Sequence, residues 1–373
     1  MKISFIDSYY DSLGGAPKSM LTLASLLIKE KFTVNLVSLD QGRVTELAES
    51  LGVNVIMTSK GKTLLGRRQK SLSSILNFLI HLFTSLFYLP KDQNVVCINE
   101  PRSLYYYFLY LLYIKTFSGN KTQIVYYVRI NEKLGLTNFI LSRLCHKIIL
   151  ISSDSKRAFS SRDISKFKEK FVIIHTGFDF NDVSLPNVDN SEEKVIQLCS
   201  IGTFCDRKNQ LLALEVLSAT KKAGLNCVMN FYGDDTKTSP YLESLKSEIK
   251  ANSLEKSVNF HGYSNDIVED IKGCHIYVMT SKVEGLPRSV IEAAYAGLFI
   301  VSVECDGVGD IIVDPVQGII TDYQPSSLVS AILDYLENND VYNVELIKRR
   351  REIIRNSFST DAYVNNFISM VSR

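Results

Sequence analysis

Two glutamates eight residues apart, Glu284 and Glu292, stand in the segment 276–297, IYVMTSKVEGLPRSVIEAAYAG. The segment opens as an apolar strand, turns at Gly285, Leu286 and Pro287, and reads as a helix from about Arg288. Glu284 therefore falls on the loop at the strand end and Glu292 about one turn into the helix. Carboxylates in these two places can accept from different hydroxyl groups of one ligand. The backbone amides between them, together with the helix N-terminus, suit an anion. A sugar, a diphosphate and a ribose follow one another in that order in a nucleotide sugar.

In the form EGLPRSVIEA, the E-x7-E pattern resembles the signature of the retaining glycosyltransferases of family 4, the group 1 glycosyltransferases. The resemblance implies that Glu284 contacts the donor sugar near the reacting carbon and that Glu292 holds the ribose hydroxyls. Lys208 sits six residues after Gly202 and matches the Lys of the family's G-R-x4-K loop, whose two cations neutralise the donor diphosphate. The Arg of that loop is replaced by Thr203, so either Arg207 supplies the missing charge or nothing does. FYGDD (231–235) resembles the strand-end GxG turn through Gly233, with Asp235 where a second Gly is usual. FHGYS (260–264) matches the turn that lines the nucleobase, which makes Gly262 and Tyr263 candidates. VECDGVGDII (303–312) resembles the late Gly-rich loop, with Gly309 and Asp310 where Gly and Glu are common.

The first half carries the acceptor-side candidates. DSLGGAPKSM (11–20) closes the first strand and opens the first helix. There Gly14 and Gly15 permit φ > 0 and close backbone approach, with Lys18 just behind. This resembles the family's N-terminal GG loop, which lies over the donor and meets the acceptor. After the strand 124–128 the family frequently has a His facing the donor sugar, whereas this chain has Arg129. An arginine there can bind the donor sugar or an acceptor phosphate but cannot act as a base at neutral pH. The family's retaining front-face displacement accommodates this, because the leaving phosphate can take the acceptor proton. His175, in IIHTGFD, reads as a hinge feature.

These residues need two scaffolds. With 373 residues, and roughly 100–200 per domain, the chain suggests two domains. Short Val/Ile-rich runs alternate with helical patterns through residue 175, which reads as a doubly wound parallel sheet covered on both faces. The polar stretch 179–194, DFNDVSLPNVDNSEEK, reads as a linker, and a second alternating series starts at Val195. The expected architecture is α/β of the GT-B kind, two Rossmann-like domains facing across a cleft. They span 1–180 and 181–357, with a C-terminal helix in 358–373 returning to the first domain as the resemblance implies. Ligands of such sheets sit outside the carboxyl ends of the strands.

The formal net charge of +2 hides an asymmetry: +11 over residues 1–180 and −9 over 181–373. A basic half points to an anionic partner. SKGKTLLGRRQK (59–70) holds Lys60, Lys62, Arg67, Arg68 and Lys70 with no acid, and it leads into the apolar run 75–89. That combination suits peripheral contact with an anionic membrane surface. The run is shorter than the ~20 residues a spanning helix needs, and MKISFIDSYY lacks the continuous apolar core of an export signal. The seven cysteines form no C-x-x-C pair, which fits a reducing cytoplasm.

The expectation is a cytoplasmic transferase peripheral to the inner face of the plasma membrane. It would move a sugar from a UDP- or GDP-linked donor to a saccharide acceptor, polyprenyl-diphosphate-linked, in surface polysaccharide synthesis. No cofactor beyond that co-substrate is expected, and no metal, since side chains and amides supply the positive charge and no D-x-D motif is present. No nucleic-acid module is apparent. A nucleotide-sugar epimerase and an inert scaffold subunit are the rival readings.

Overall fold

A computed structural model describes the chain apart from residues 12, 60–63, 65–70, 119–120, 130–131, 182, 185–194, 235–238, 340, 342 and 373. Lys60, Lys62, Arg67, Arg68, Lys70 and Asp235 lie outside the described residues. The chain divides into two compact units, Met1–Asp179 with Ser359–Arg373, and Phe180–Phe358.

The first unit is built on β1 (Lys2–Asp7), β2 (Thr33–Ser38), β3 (Asn54–Met57), β4 (Val95–Ile98), β5 (Gln123–Val128), β6 (Lys147–Leu150) and β7 (Phe171–Ile173). They form one sheet in the order β3-β2-β1-β4-β5-β6-β7, with parallel pairing throughout. Helices α1 (Gly15–Lys29), α2 (Arg43–Ser50), α3 (Leu72–Tyr88), α4 (Ser103–Phe117), α5 (Gly135–Leu144) and α6 (Ser161–Lys166) make the crossovers. Residues such as Val95, Cys97, Val125 and Ile148 are fully buried, as strands covered on both faces require. The four-residue edge strand β3 escapes a reading by hydrophobic runs because NVIM is only half-buried.

The second unit holds β8 (Ile196–Ile201), β9 (Cys227–Tyr232), β10 (Val258–Gly262), β11 (Ile276–Met279), β12 (Phe299–Val303) and β13 (Gly318–Thr321). Their order is β10-β9-β8-β11-β12-β13, again parallel. Its helices are α7 (Gln210–Lys222), α8 (Pro240–Ala251), α9 (Ile267–Asp270), α10 (Arg288–Ala296), α11 (Pro325–Asn338) and α12 (Val344–Phe358). The last helix, α13 (Thr360–Val371), belongs to the first unit, where Phe367 is buried with its ring centroid 6.4 Å from that of Phe5.

Each sheet reverses its winding direction once, between β1 and β4 and between β8 and β11. The loops leaving the carboxyl ends of those four strands flank the crevices where such sheets bind ligands.

Helix α3 is turned inside out. Its fully buried residues are the polar Ser74, His81 and Ser85, while Leu72, Leu76, Leu79, Phe83 and Phe87 form an i, i+3/i+4 stripe facing solvent. Phe83 is 62% and Phe87 80% exposed. The inward side is held by ring contacts with α4: Phe78 lies edge-on to Tyr106 at 5.9 Å and His81 to Tyr107 at 5.4 Å. Burial holds the His81 imidazole below its ordinary pKa. No helix among the described residues is long and apolar enough to cross a membrane.

Candidate functional site

Lys208 and Glu284 come from the loops that leave β8 and β11, the two strands at the reversal of the second sheet. The Lys208 ammonium lies 2.8 Å from a Glu284 carboxylate oxygen, and both side chains are largely shielded from solvent, 15% and 12% exposed. The same oxygen accepts from Arg207 at 3.0 Å, and Arg207 also donates to the Val283 carbonyl at 3.1 Å. Of the two alternatives at Thr203, then, the structure does place Arg207 beside Glu284, while Thr203 itself is exposed.

The backbone around Lys208 explains its placement. Gly202 has φ +149°, and a Cβ there would stand 3.0–3.3 Å from the Cγ, Cδ and Cε of Lys208, so the lysine stem crosses the glycine. A Cβ on Gly233 would sit 2.2 Å from the Gly202 carbonyl oxygen. The Gly202 amide donates to the Tyr232 carbonyl (2.8 Å) and the Gly233 amide to Gly262 (2.8 Å), linking the ends of β8, β9 and β10. Tyr263, next in the chain, is exposed. Thr280 donates to the Lys208 carbonyl at 3.1 Å, fixing the first loop to the end of β11.

Helix α10 begins at Arg288 without a side-chain cap from Pro287, and Ser289 in its first turn bonds the buried Tyr277 hydroxyl at 2.8 Å. Glu292 accepts from Arg288 at 3.1 Å. Burial pushes the Glu292 carboxyl above its ordinary pKa, while Arg288 and Lys208 pull the other way. In the late loop the constrained glycine is Gly307, at φ +79°, whose Cβ would be 2.5 Å from the Gly285 carbonyl oxygen; Gly309 has no such neighbour. The late loop therefore abuts the Gly285–Pro287 turn. Cys305 on this loop has its thiol pushed up to about 11 by burial and by the Glu284 and Asp306 charges. Among the described residues no group of three or more His, Cys, Asp and Glu is placed to hold a metal.

In the first unit the glycine pair, which permits φ > 0, does not use that freedom. Gly14 is extended, φ −73° and ψ −177°, as the N-cap of α1, and Gly15 is absent from the positive-φ positions. The chain imposes no steric demand at either, since a Cβ would meet nothing within 4 Å. Lys18 is exposed one turn into α1. Arg129 is half-buried, donating to Asn99 Oδ1 (3.1 Å), Ser19 Oγ (2.6 Å) and Tyr363 Oη (3.4 Å), with its guanidinium 3.4 Å from the Tyr127 ring centroid. His175 bonds the Ile151 carbonyl through Nδ1 at 3.0 Å.

Residues 184–359 match the family model described as glycosyl transferases group 1. An uncharacterized glycosyltransferase of Haemophilus influenzae is 24% identical over 370 residues, 94% of each chain. The chain is a glycosyltransferase, and its residues 184–359 carry the group 1 match. A capsular polysaccharide biosynthesis glycosyltransferase of Staphylococcus aureus, CapH, is 27% identical to this glycosyltransferase over 157 residues, 42% of each chain. HepE of Anabaena, solved in complex with UDP, superposes with a TM-score of 0.74 at 18% identity, covering both chains completely. The fold of this glycosyltransferase is accordingly GT-B, built from two Rossmann-like domains.

Several residues that shape these loops carried no signal in the glycosyltransferase sequence. Gln210 donates to the Thr203 carbonyl at 3.1 Å, and Asn209 takes φ +53° to start α7, yet neither stands out from ordinary helix-start chemistry. Asp7, Asn99 and Glu100 at the β1/β4 reversal are buried polar residues. Only the strand order, which the sequence does not state, marks them.

Proposed function

We propose that the protein is a retaining, metal-independent glycosyltransferase of the family 4 kind that uses a UDP-linked sugar donor. The observation that carries this reading is the Lys208–Glu284 pair, 2.8 Å apart at the carboxyl ends of β8 and β11 beside the N-terminus of α10. Lys208, with Arg207, offsets the charge that grows on the leaving diphosphate, and the α10 N-terminus adds its dipole. Glu284 orients the donor sugar and Glu292 accepts from the ribose hydroxyls. Gly202, Gly233, Gly262 and Tyr263 line the nucleotide, and the Gly285–Pro287 turn borders the diphosphate. The leaving phosphate takes the acceptor proton, which leaves no base to be found in the chain. UDP is favoured over GDP by the fold likeness to a UDP-bound protein. Transfer from a panel of UDP- and GDP-sugars, with the anomeric configuration of the product read by NMR, tests this. Inversion, or no turnover with any donor, overturns it.

Loss of the Glu292 carboxylate is expected to weaken donor binding more than it slows transfer. Glu292→Gln should raise the donor Kd about tenfold, the scale of one hydrogen bond to a charged group. Because burial raises the Glu292 pKa, lowering the pH through that raised value protonates the carboxylate and weakens donor binding in the same way. Calorimetric titration with UDP at several pH values checks both.

The acceptor we propose is a saccharide on a polyprenyl diphosphate, used in surface polysaccharide synthesis at the inner face of the plasma membrane. Two features support peripheral contact with an anionic bilayer. Helix α3 turns its apolar stripe outward, and residues 51–128 hold nine Lys and Arg against the two carboxylates Asp92 and Glu100. Apolar side chains enter the acyl boundary while cations meet the headgroups. The double substitution Phe83→Ser with Phe87→Ser should weaken sedimentation with phosphatidylglycerol-containing vesicles about tenfold, the partition energy of large apolar side chains setting the scale. Equal sedimentation with neutral and anionic vesicles, or self-association through α3 with no vesicle binding, overturns the membrane assignment.

A further inference from the structure

We infer that Arg129 is a positioning residue that clamps both ends of the β1–α1 turn, which carries Gly14 and Gly15, instead of meeting a ligand through its own guanidinium. The inference rests on the acceptor-side reading of that glycine pair and gives Arg129 a role within it.

Three of the five guanidinium N–H groups are aimed at side chains of the same unit. Nε donates to Asn99 Oδ1 at 3.1 Å; Asn99 Nδ2 donates in turn to Asp7 Oδ2 at 2.5 Å; and the other Asp7 oxygen accepts from the Tyr9 amide at 2.8 Å. That line runs from β5 through the end of β4 to the end of β1, and it finishes on the backbone where the turn begins. The second line leaves Nη1 for Ser19 Oγ, 2.6 Å away in the second turn of α1, just past where the loop ends. The Ser19 hydroxyl also lies 3.3 Å from Tyr363 Oη of α13, which accepts from Arg129 Nη2 at 3.4 Å. Asp7, Asn99, Ser19 and Tyr363 are all buried, and the guanidinium is stacked on Tyr127, so the fork has one geometry in which to make these bonds. A neutral histidine at this position could make one of the two lines, not both, because only one of its ring nitrogens carries an N–H.

The charge of Arg129 also acts on Asp7. Burial and the neighbouring Glu100 push the Asp7 carboxyl up to about 7, whereas the bonds from Asn99 and Tyr9 and the charge of Arg129 favour its ionised form. The Asp7 charge in turn reaches the buried Tyr107 hydroxyl, which is bonded to Thr58. Ionised Asp7 accepts from Asn99 and Tyr9 together; protonation converts one of its oxygens to a donor and weakens the grip on the turn. Acceptor binding should therefore tighten as the pH rises through about 7, and removal of Arg129 should move that rise to higher pH.

The test uses the full chain with Arg129→Met, Arg129→Lys and Tyr363→Phe. Arg129→Met should raise the acceptor KM about tenfold, leave UDP affinity unchanged, shift the acceptor-KM pH profile upward, and speed hydrogen exchange at the Tyr9 amide. Arg129→Lys keeps the charge without the fork, so it should restore the pH profile but not the exchange protection. Tyr363→Phe, which deletes one hydroxyl, should fold and show a smaller loss of protection. Unchanged Tyr9 exchange in Arg129→Met, or a loss of UDP affinity in that variant, overturns the clamp. Because exchange is read without turnover, this result stands apart from the proposed reaction: a wild-type protein without transferase activity would sink the reaction and leave the clamp measurable.

Discussion

The Lys208→Ala protein is expected to lose kcat by about 10²–10³-fold, the range found when one preorganised donor to a developing anion is removed. As the bond between the anomeric carbon and the β-phosphate oxygen lengthens, negative charge collects on the diphosphate, and a cation held nearby is worth more there than in the ground state. Lys208 is held: its stem crosses Gly202, its carbonyl accepts from Thr280, and its ammonium lies against Glu284. Side-chain flexibility, the usual cost of using a lysine, is therefore already spent in the folded protein. Arginine at 208 should not rescue fully, because a planar guanidinium does not reproduce the compact point charge of the ammonium. Initial rates under saturating donor and acceptor, with Tm followed by circular dichroism, separate this effect from unfolding. A Lys208→Ala protein of unchanged Tm and wild-type kcat would remove Lys208 from the reaction.

Glu284→Gln is expected to lower kcat/KM about 10²-fold, the scale set by misplacing a reacting group by roughly an ångström. The substitution keeps the size of the side chain and removes the charge that holds Lys208 and Arg207 at 2.8 and 3.0 Å. Both the contact to the donor sugar and the aim of the two cations suffer together. The losses in Lys208→Ala and Glu284→Gln should consequently not add: the double variant should be little worse than the worse single one. Additive losses would mean that the two residues act separately, and the ion pair would then be incidental to turnover. Stability should also fall in either single variant, because each leaves a charge of a largely shielded pair without its partner, so rates are compared at a temperature well below the Tm of each variant.

Much of this was open to a reader of the sequence. The alternation of buried runs with helical patterns announces parallel sheets, because only strands covered on both faces are apolar without alternation. The strand, Gly-Pro turn and helix around Glu284 and Glu292 is local chemistry, readable because every part lies within about twenty residues of chain. Lys208 is legible through the resemblance of its loop to the family's G-R-x4-K, six residues after Gly202; its strand-to-helix turn by itself marks no site.

What failed or stayed silent depends on distance along the chain. Gly14 and Gly15 permit φ > 0, yet Gly14 is extended and Gly15 opens α1, because a glycine pair allows that conformation without demanding it. Nothing local to Arg129 announces that its hydrogen bonds go to Ser19, Asn99 and Tyr363, which are 110, 30 and 234 residues away. The outward turn of α3 was equally hidden, since the hydropathy of LSSILNFLIHLFTSLFY fixes that one face is apolar but not which way that face points.

The sequence by itself determined the two-sheet architecture, the E-x7-E segment, the Lys208 loop and the opposite charges of the two halves, all of them properties of contiguous residues. Tertiary structure alone decided that Lys208 pairs with Glu284, that the β1/β4 reversal buries Asp7, Asn99 and Glu100, and that Arg129 donates to Asn99 there. The reason is strand order. A parallel sheet sets side by side the ends of strands that lie far apart in the chain, and no local pattern records which strand lies beside which.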